Sequence, residues 1–150
     1  LEPLSEHLKD YEQLMIQYYG AGVQACYRGP RLFDTEETRL MVKKTIDWYK
    51  TYREILNSDI IQLRRADGRD WDGMMHVNPL LSQKAFILLY NPTKEKITRT
   101  ITLPLYYTGL TKAVIEDSVG KKIKYTLNNK SEVDFTFTIK ADSYSWYIVR

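Results

Sequence analysis

The spacing of apolar residues changes once along the chain, near Asp59, and that change limits the fold more than any other feature. Before it, apolar residues recur every three or four positions. Leu4, Leu8, Tyr11, Met15 and Tyr18 mark one face of a helix over residues 5–19. Gly20 and Gly22 stop that helix. A wider stripe, Met41, Thr45, Trp48, Tyr52 and Ile55 with Val42, Ile46, Tyr49 and Leu56 beside it, predicts a second helix of about 20 residues. Asp34, with Glu37 three positions later, reads as its capping box. Beyond Asp59 the period shortens. "DIIQL", "GMMHVNP", "KAFILLYNP", "ITRTITLPL", "AVIED", "KIKYTL", "VDFTFTIK" and "YSWYIVR" are short apolar or alternating runs broken by Asn, Pro, Gly and Asp. Such runs read as seven or eight strands of an antiparallel sandwich or barrel. The expected fold class is therefore α+β, with two N-terminal helices (1–58) followed by an antiparallel β domain (59–150).

Composition removes several function classes. The charge is nearly balanced, with 22 basic and 19 acidic residues for a net +3, and no run of five like charges occurs. That argues against a nucleic-acid partner. No apolar stretch is long enough to span a bilayer as a helix, and no secretory signal is present. Cys26 is the only cysteine, so no internal disulfide can form, and its surroundings offer no base; it reads as a buried structural cysteine. The twelve tyrosines and three tryptophans suit strands first and sugar-facing surfaces second. Leu1 is not Met and helical pattern begins almost at once, which reads as a piece of a longer polypeptide.

One stretch is dense in chemical groups, "RRADGRDWDG" at 64–73. Its spacing does not fit a Ca²⁺ loop, and Arg69 competes for the carboxylates, so no metal is expected. His7 and His76 are far apart and no Cys/His ligand pattern exists, so no cofactor is expected either. Asp70 and Asp72 would point the same way in an extended segment, as a glycosidase pair must, but neighbouring arginines depress carboxylate pKa and spoil a general acid. The reading favoured here is an ion-paired structural turn built from Arg65, Asp67, Arg69, Asp70, Trp71 and Asp72. Gly68 and Gly73 supply its bends, Trp71 anchors it, and the charge pairs fix the angle between helices and β domain. No catalytic residue is assigned. The stripe of Trp48, Tyr52 and Ile55 is too apolar to face water and is expected to pack on the β domain or on further chain.

The order of segments resembles a known class. "YGAGVQACYRGPRLFDTEETRLMVKKTIDWYKTYREIL" leads into "DIIQLRRADGRDWDGMMHVNP", then "ILLYNPT", "LPLYYTGL" and a terminal "YSWYIVR". This is similar to the C-terminal portion of bacterial melibiase-like (α-galactosidase-like) glycoside hydrolases. There, the last strand and helix of a catalytic barrel run into an antiparallel β-sandwich. The resemblance implies that the catalytic carboxylates lie on earlier barrel strands. The chain would then be a non-catalytic β-sandwich region whose partner is the upstream barrel of the same polypeptide, secreted or periplasmic as such glycan-degrading enzymes are. If "VQACY" is the last barrel strand, Tyr27 and Arg28 follow it at the substrate rim, Tyr27 as a sugar-stacking face and Arg28 as a donor. Two rival readings follow from the residues. One is an independent carbohydrate-binding module with Trp71, Tyr106 and Tyr107 as an exposed platform. The other is a protein-interaction domain using the apolar helix face.

Overall fold

A computed structural model describes residues 2–26 and 29–150. The chain divides into two compact units, Leu1–Asn57 and Ser58–Arg150.

In the first unit a 3-10 turn, Leu4–His7, runs into helix α1 (Leu8–Gly20), and helix α2 covers Glu36–Leu56. Leu4, Tyr11 and Met15 from the first segment bury against Met41 and Val42 of α2, with Ile46 beside them. Tyr19 stacks on Tyr49 at a centroid distance of 4.9 Å. The fully buried Tyr11 still satisfies its hydroxyl, which donates to the Leu32 carbonyl at 2.8 Å. The end of α1 is set by Gly22, whose φ is +70°. Its amide donates to Tyr19 O, and that of Val23 donates to Tyr18 O, the paired bonds of a Schellman cap. A Cβ at Gly22 would lie 2.2 Å from the Leu56 carbonyl oxygen, so glycine is required for space as well as for φ.

The N-terminal cap of α2 is displaced by one residue from the sequence expectation. Thr35, not Asp34, is extended at the cap and accepts from the Thr38 amide, while the Thr38 hydroxyl accepts from the Thr35 amide. Asp34 instead gathers the start of the chain. Its carboxylate accepts from the Ser5 amide (3.0 Å), the Ser5 hydroxyl (3.1 Å) and the Thr38 hydroxyl (2.9 Å). Partial burial pushes its pKa up, but these hydrogen bonds outweigh that and hold it at about 2. A carboxylate with a depressed folded-state pKa stabilises the fold above its ordinary value of 3.8 and loses that contribution as pH falls toward 2. The expected result is that Asp34→Asn removes part of the loss of helical signal between about pH 4 and 2. An identical acid transition in the variant would show that Asp34 is not involved.

Gln24, Ala25 and Cys26 are irregular, and the expected burial of Cys26 is corrected, since the residue is exposed. All strands assigned among the described residues lie between Asp59 and Val149.

The second unit holds eight strands: β1 (Asp59–Arg64), β2 (Asp72–Val77), β3 (Ala85–Asn91), β4 (Ile97–Pro104), β5 (Lys112–Asp117), β6 (Lys122–Thr126), β7 (Glu132–Ile139) and β8 (Ser143–Val149). Six form one sheet in the order β1-β2-β3-β8-β5-β6, and β4 and β7 form a second sheet of two. Every pairing is antiparallel. The α+β class therefore stands, with its strands divided six and two.

The two sheets share one apolar core. Ile87, Leu89 and Val149 enter it from the larger sheet, and Leu103, Phe135 and Ile139 from the smaller. The smaller sheet alternates cleanly. Ile97, Ile101 and Leu103 face inward, while Thr98 and Thr100 face outward and share hydroxyl hydrogen bonds of 2.8 Å with Thr138 and Thr136. Strand β3 is apolar on both faces, and Ala85 through Leu89 are fully buried.

Gly73 lies inside β2 and not at a bend. A Cβ there would sit 2.4 Å from the Leu88 carbonyl oxygen, so it is a site of close strand approach. The connections are closed by Asn and Asp side chains accepting from the amide two residues on. Asn78 caps Leu80, Asn91 caps Thr93, Asp117 caps Val119 and Asn128 caps Lys130.

Candidate functional site

The charged segment 64–73 connects β1 to β2, and it is closed by hydrogen bonds to itself and to β4. Arg64 grips Asp67 with two bonds, 2.8 and 3.3 Å, and also donates to the Trp71 carbonyl at 2.5 Å. Arg99, on β4, grips Asp70 with its Nε (3.2 Å) and Nη2 (3.1 Å). Gly68 takes φ +71° at the tip, and the Arg69 amide donates to Asp67 at 2.9 Å. Trp71 is 7% exposed, and its ring meets Phe137 edge-on at 5.3 Å. Arg65 and Arg69 are exposed. The two arginines that hold the turn are thus Arg64 and Arg99. Arg64 was not among the residues singled out from the sequence, and Arg99 lies 29 positions beyond its partner.

The electrostatics follow from these contacts. The Arg64 guanidinium and the Arg69 amide hold Asp67 at a pKa of about 2. Burial pushes Asp70 upward, but the Trp71 amide and Arg99 outweigh it and the net shift is downward. Asp72 moves the other way, raised mainly by burial despite Arg64. Across β3 and β8 it stands in register with Tyr90 and then Tyr144, and burial raises the Tyr90 phenol too. One raised and one lowered carboxylate is the pattern of an acid–base pair. Here, however, both oxygens of Asp67 and of Asp70 are taken by guanidinium groups, which leaves Asp72 without an accessible carboxylate partner in this turn. Among the described residues no group of three or more His, Cys, Asp or Glu side chains is placed to hold a metal ion. His76 is fully buried, its Nδ1 3.2 Å from the Ser58 carbonyl.

The aromatic platform is not assembled. Trp71 is inside the core. Tyr106 and Tyr107 are exposed (69% and 65%), but their rings stand at 84° to each other and offer no common plane. Tyr27 and Arg28 lie outside the described residues.

A concave site that sequence reasoning missed opens beside β7. It is a groove of about 280 Å³. Ile115, Phe135 and Phe137 form its apolar floor, Tyr125 and Tyr147 are its aromatic walls, and Asp117 and Lys121 stand at one end. Burial raises the phenol pKa of both Tyr125 and Tyr147. Phe135 meets Tyr147 edge-on at 4.9 Å. The only sequence signal was the inward parity of Tyr125 on β6 and Tyr147 on β8, and nothing local says that the strand covering them is absent.

No protein-family model matches the chain, and no curated protein does. Solved structures do match in fold. A GH27 β-L-arabinopyranosidase from Geobacillus stearothermophilus aligns over 94% of this chain and 30% of its own, with a TM-score of 0.60 at 10% identity. A proposed α-galactosidase/melibiase from Bacteroides fragilis aligns over 95% and 28%, with 0.54 at 12%. An α-amylase from Geobacillus thermoleovorans aligns over 95% and 33%, with 0.61 at 14%. The chain thus spans about a third of the length of these enzymes. The resemblance to melibiase-like glycoside hydrolases holds at the level of the fold.

Proposed function

We propose that this chain is the C-terminal region of a larger glycoside hydrolase, a non-catalytic β-sandwich with the last helical part of a barrel before it. Its partner is then the upstream catalytic barrel of the same polypeptide. The observation that carries this reading is the spread of the structural matches. One fold, filling about a third of each chain, recurs in an arabinopyranosidase, a melibiase-like protein and an amylase. The arginine-saturated carboxylates of the 64–73 turn support the same conclusion, since a general acid or nucleophile needs a free oxygen. On this reading the chain alone turns over none of a panel of aryl glycosides. Turnover abolished by Asp70→Asn or Asp72→Asn would overturn it.

Tyr27 and Arg28 are proposed as residues at the rim of the parent's active site, on the premise that residues 23–27 form the last barrel strand when the barrel before them is present. In the full polypeptide, Arg28→Ala should lower kcat/KM at least about tenfold, roughly 1.4 kcal/mol of transition-state binding, with folding intact. Unchanged kcat/KM would remove Arg28 from the site.

A further inference from the structure

Strand β7 has an open edge, and the groove lies along it. In an antiparallel pair, both backbone groups of alternate residues face the partner strand, and those of the residues between face away. The Leu105 amide donates to the Ser131 carbonyl at 2.9 Å. Stepping by two along the same register puts Val133, Phe135 and Phe137 in bonded pairs with Leu103, Ile101 and Arg99. The N–H and C=O groups of Asp134, Thr136 and Thr138 therefore point away from β4, toward an edge where β7 pairs with no strand. Thr136 and Thr138 are the residues that line the groove on that side.

The site thus combines three kinds of group on rigid strands. It has an apolar floor with two tyrosine walls, a short row of fixed backbone donors and acceptors, and one carboxylate and one ammonium at the end. The carboxylate is anchored, because Asp117 Oδ1 accepts from the amides of Val119 (3.0 Å) and Lys121 (2.9 Å). A purely apolar ligand would leave the edge amides and carbonyls unpaired on burial, which is costly. A phosphate would meet two carbonyl oxygens and Asp117, and a cation would meet Lys121. A neutral ring with an apolar C–H face and a rim of hydroxyls, each both donor and acceptor, satisfies all three sets. Size separates that ligand from a peptide strand. Only Phe135 through Thr138 of β7 border the groove, about 13 Å of strand, whereas added strands are commonly five or six residues long.

We propose that the groove between β7 and the β5–β6–β8 end of the large sheet is a binding subsite for a neutral pyranose, with Tyr125 and Tyr147 against its C–H face and the backbone of Thr136 and Thr138 on its hydroxyls. The source of the sugar rests on the glycoside hydrolase reading above; the site itself rests on the open edge. It is distinct from the Trp71, Tyr106 and Tyr107 platform, which is not assembled.

The test is amide NMR of the whole chain titrated with methyl galactoside, maltose and glucuronate. The expected result is saturable shifts of the Thr136, Thr138 and Lys121 amides with a neutral sugar, at millimolar concentration. Tyr125→Ala should weaken binding about tenfold while β3 resonances stay in place. Thr136→Pro removes one edge donor while keeping the backbone bonds between β4 and β7, at the loss of the Thr136–Thr100 hydroxyl bond, and should weaken binding as well. No shift with any neutral sugar up to about 100 mM overturns the proposal, as does a response to glucuronate alone, which would mark charge capture by Lys121. Shifts at these amides that depend on protein concentration without sugar also overturn it, since they mean strand pairing between copies. The non-catalytic reading fails separately, by turnover in the isolated chain.

Discussion

Replacing Trp71 with alanine lowers the stability of the β unit by about 3–5 kcal/mol, the range for truncating a buried aromatic residue. The indole is nearly sealed from water and packs edge-on against Phe137, which joins the β1–β2 connection to the smaller sheet. Removing it costs the transfer term and leaves a void beside Phe137 that two paired strands cannot collapse to fill. The carbonyl of the same residue accepts from Arg64, so loosening the ring also loosens the turn. Arg65→Ala and Arg69→Ala, in the same turn but exposed, should each change stability by no more than about 0.5 kcal/mol. Urea unfolding followed at β3 amides distinguishes these outcomes. Equal effects at all three positions would show that Trp71 is not the anchor of the segment.

The second large effect is expected at Asn91, which is 1% exposed at the end of β3. Its side-chain amide donates to the carbonyls of Glu95 (2.7 Å), Lys140 (2.9 Å) and Ile139 (3.3 Å). Its oxygen accepts from the amide and hydroxyl of Thr93. One residue thus ties the end of β3 to the β3–β4 turn and to the exit of β7. Asn91→Leu keeps the volume and strips every one of these bonds. Each buried acceptor left without a donor costs about 1–3 kcal/mol, so the loss should be at least about 3 kcal/mol. Asn91→Asp keeps the acceptor but exchanges the donors for a charge facing carbonyls, and should be no better tolerated. A wild-type urea midpoint for Asn91→Leu would contradict this account.

What could be read from the sequence was local. The change of period near Asp59 gave the helices and the strand count, because side-chain parity and helical spacing depend on neighbours within a turn or two. The alternation of Ile97, Arg99, Ile101 and Leu103 against the threonines was legible, and the structure buries Ile97 and Leu103 and half-buries Ile101 on that face, whereas Arg99 is exposed and reaches Asp70. Errors of one residue came where two adjacent side chains can both cap, as with Asp34 and Thr35; the contact with Ser5, 29 residues earlier, decides between them. The misplaced Cys26 reflects the same limit, since whether a short apolar run is buried depends on chain far from it. The 64–73 segment was recognisable as ion-paired, but its second arginine, Arg99, is brought in by tertiary folding. The unequal division of strands into six and two, and the open edge of β7 that follows from it, depends on which distant strands pair. No residue in β7 announces it.

The position of β8 between β3 and β5 has a consequence for how the chain comes into being. Of the strands in this unit β8 is the last in chain order, yet it is an interior strand of the large sheet, hydrogen-bonded on both sides. Until it arrives, β1–β2–β3 and β5–β6 are separate ribbons with raw edges, and β3 exposes an apolar run made for burial on both faces. Long-range closure of this kind is slow, and unpaired edges are sticky while it waits. Deleting Ser143–Val149 should therefore act as a break through the middle of the sheet, and the truncated product should be found with chaperones or in aggregates.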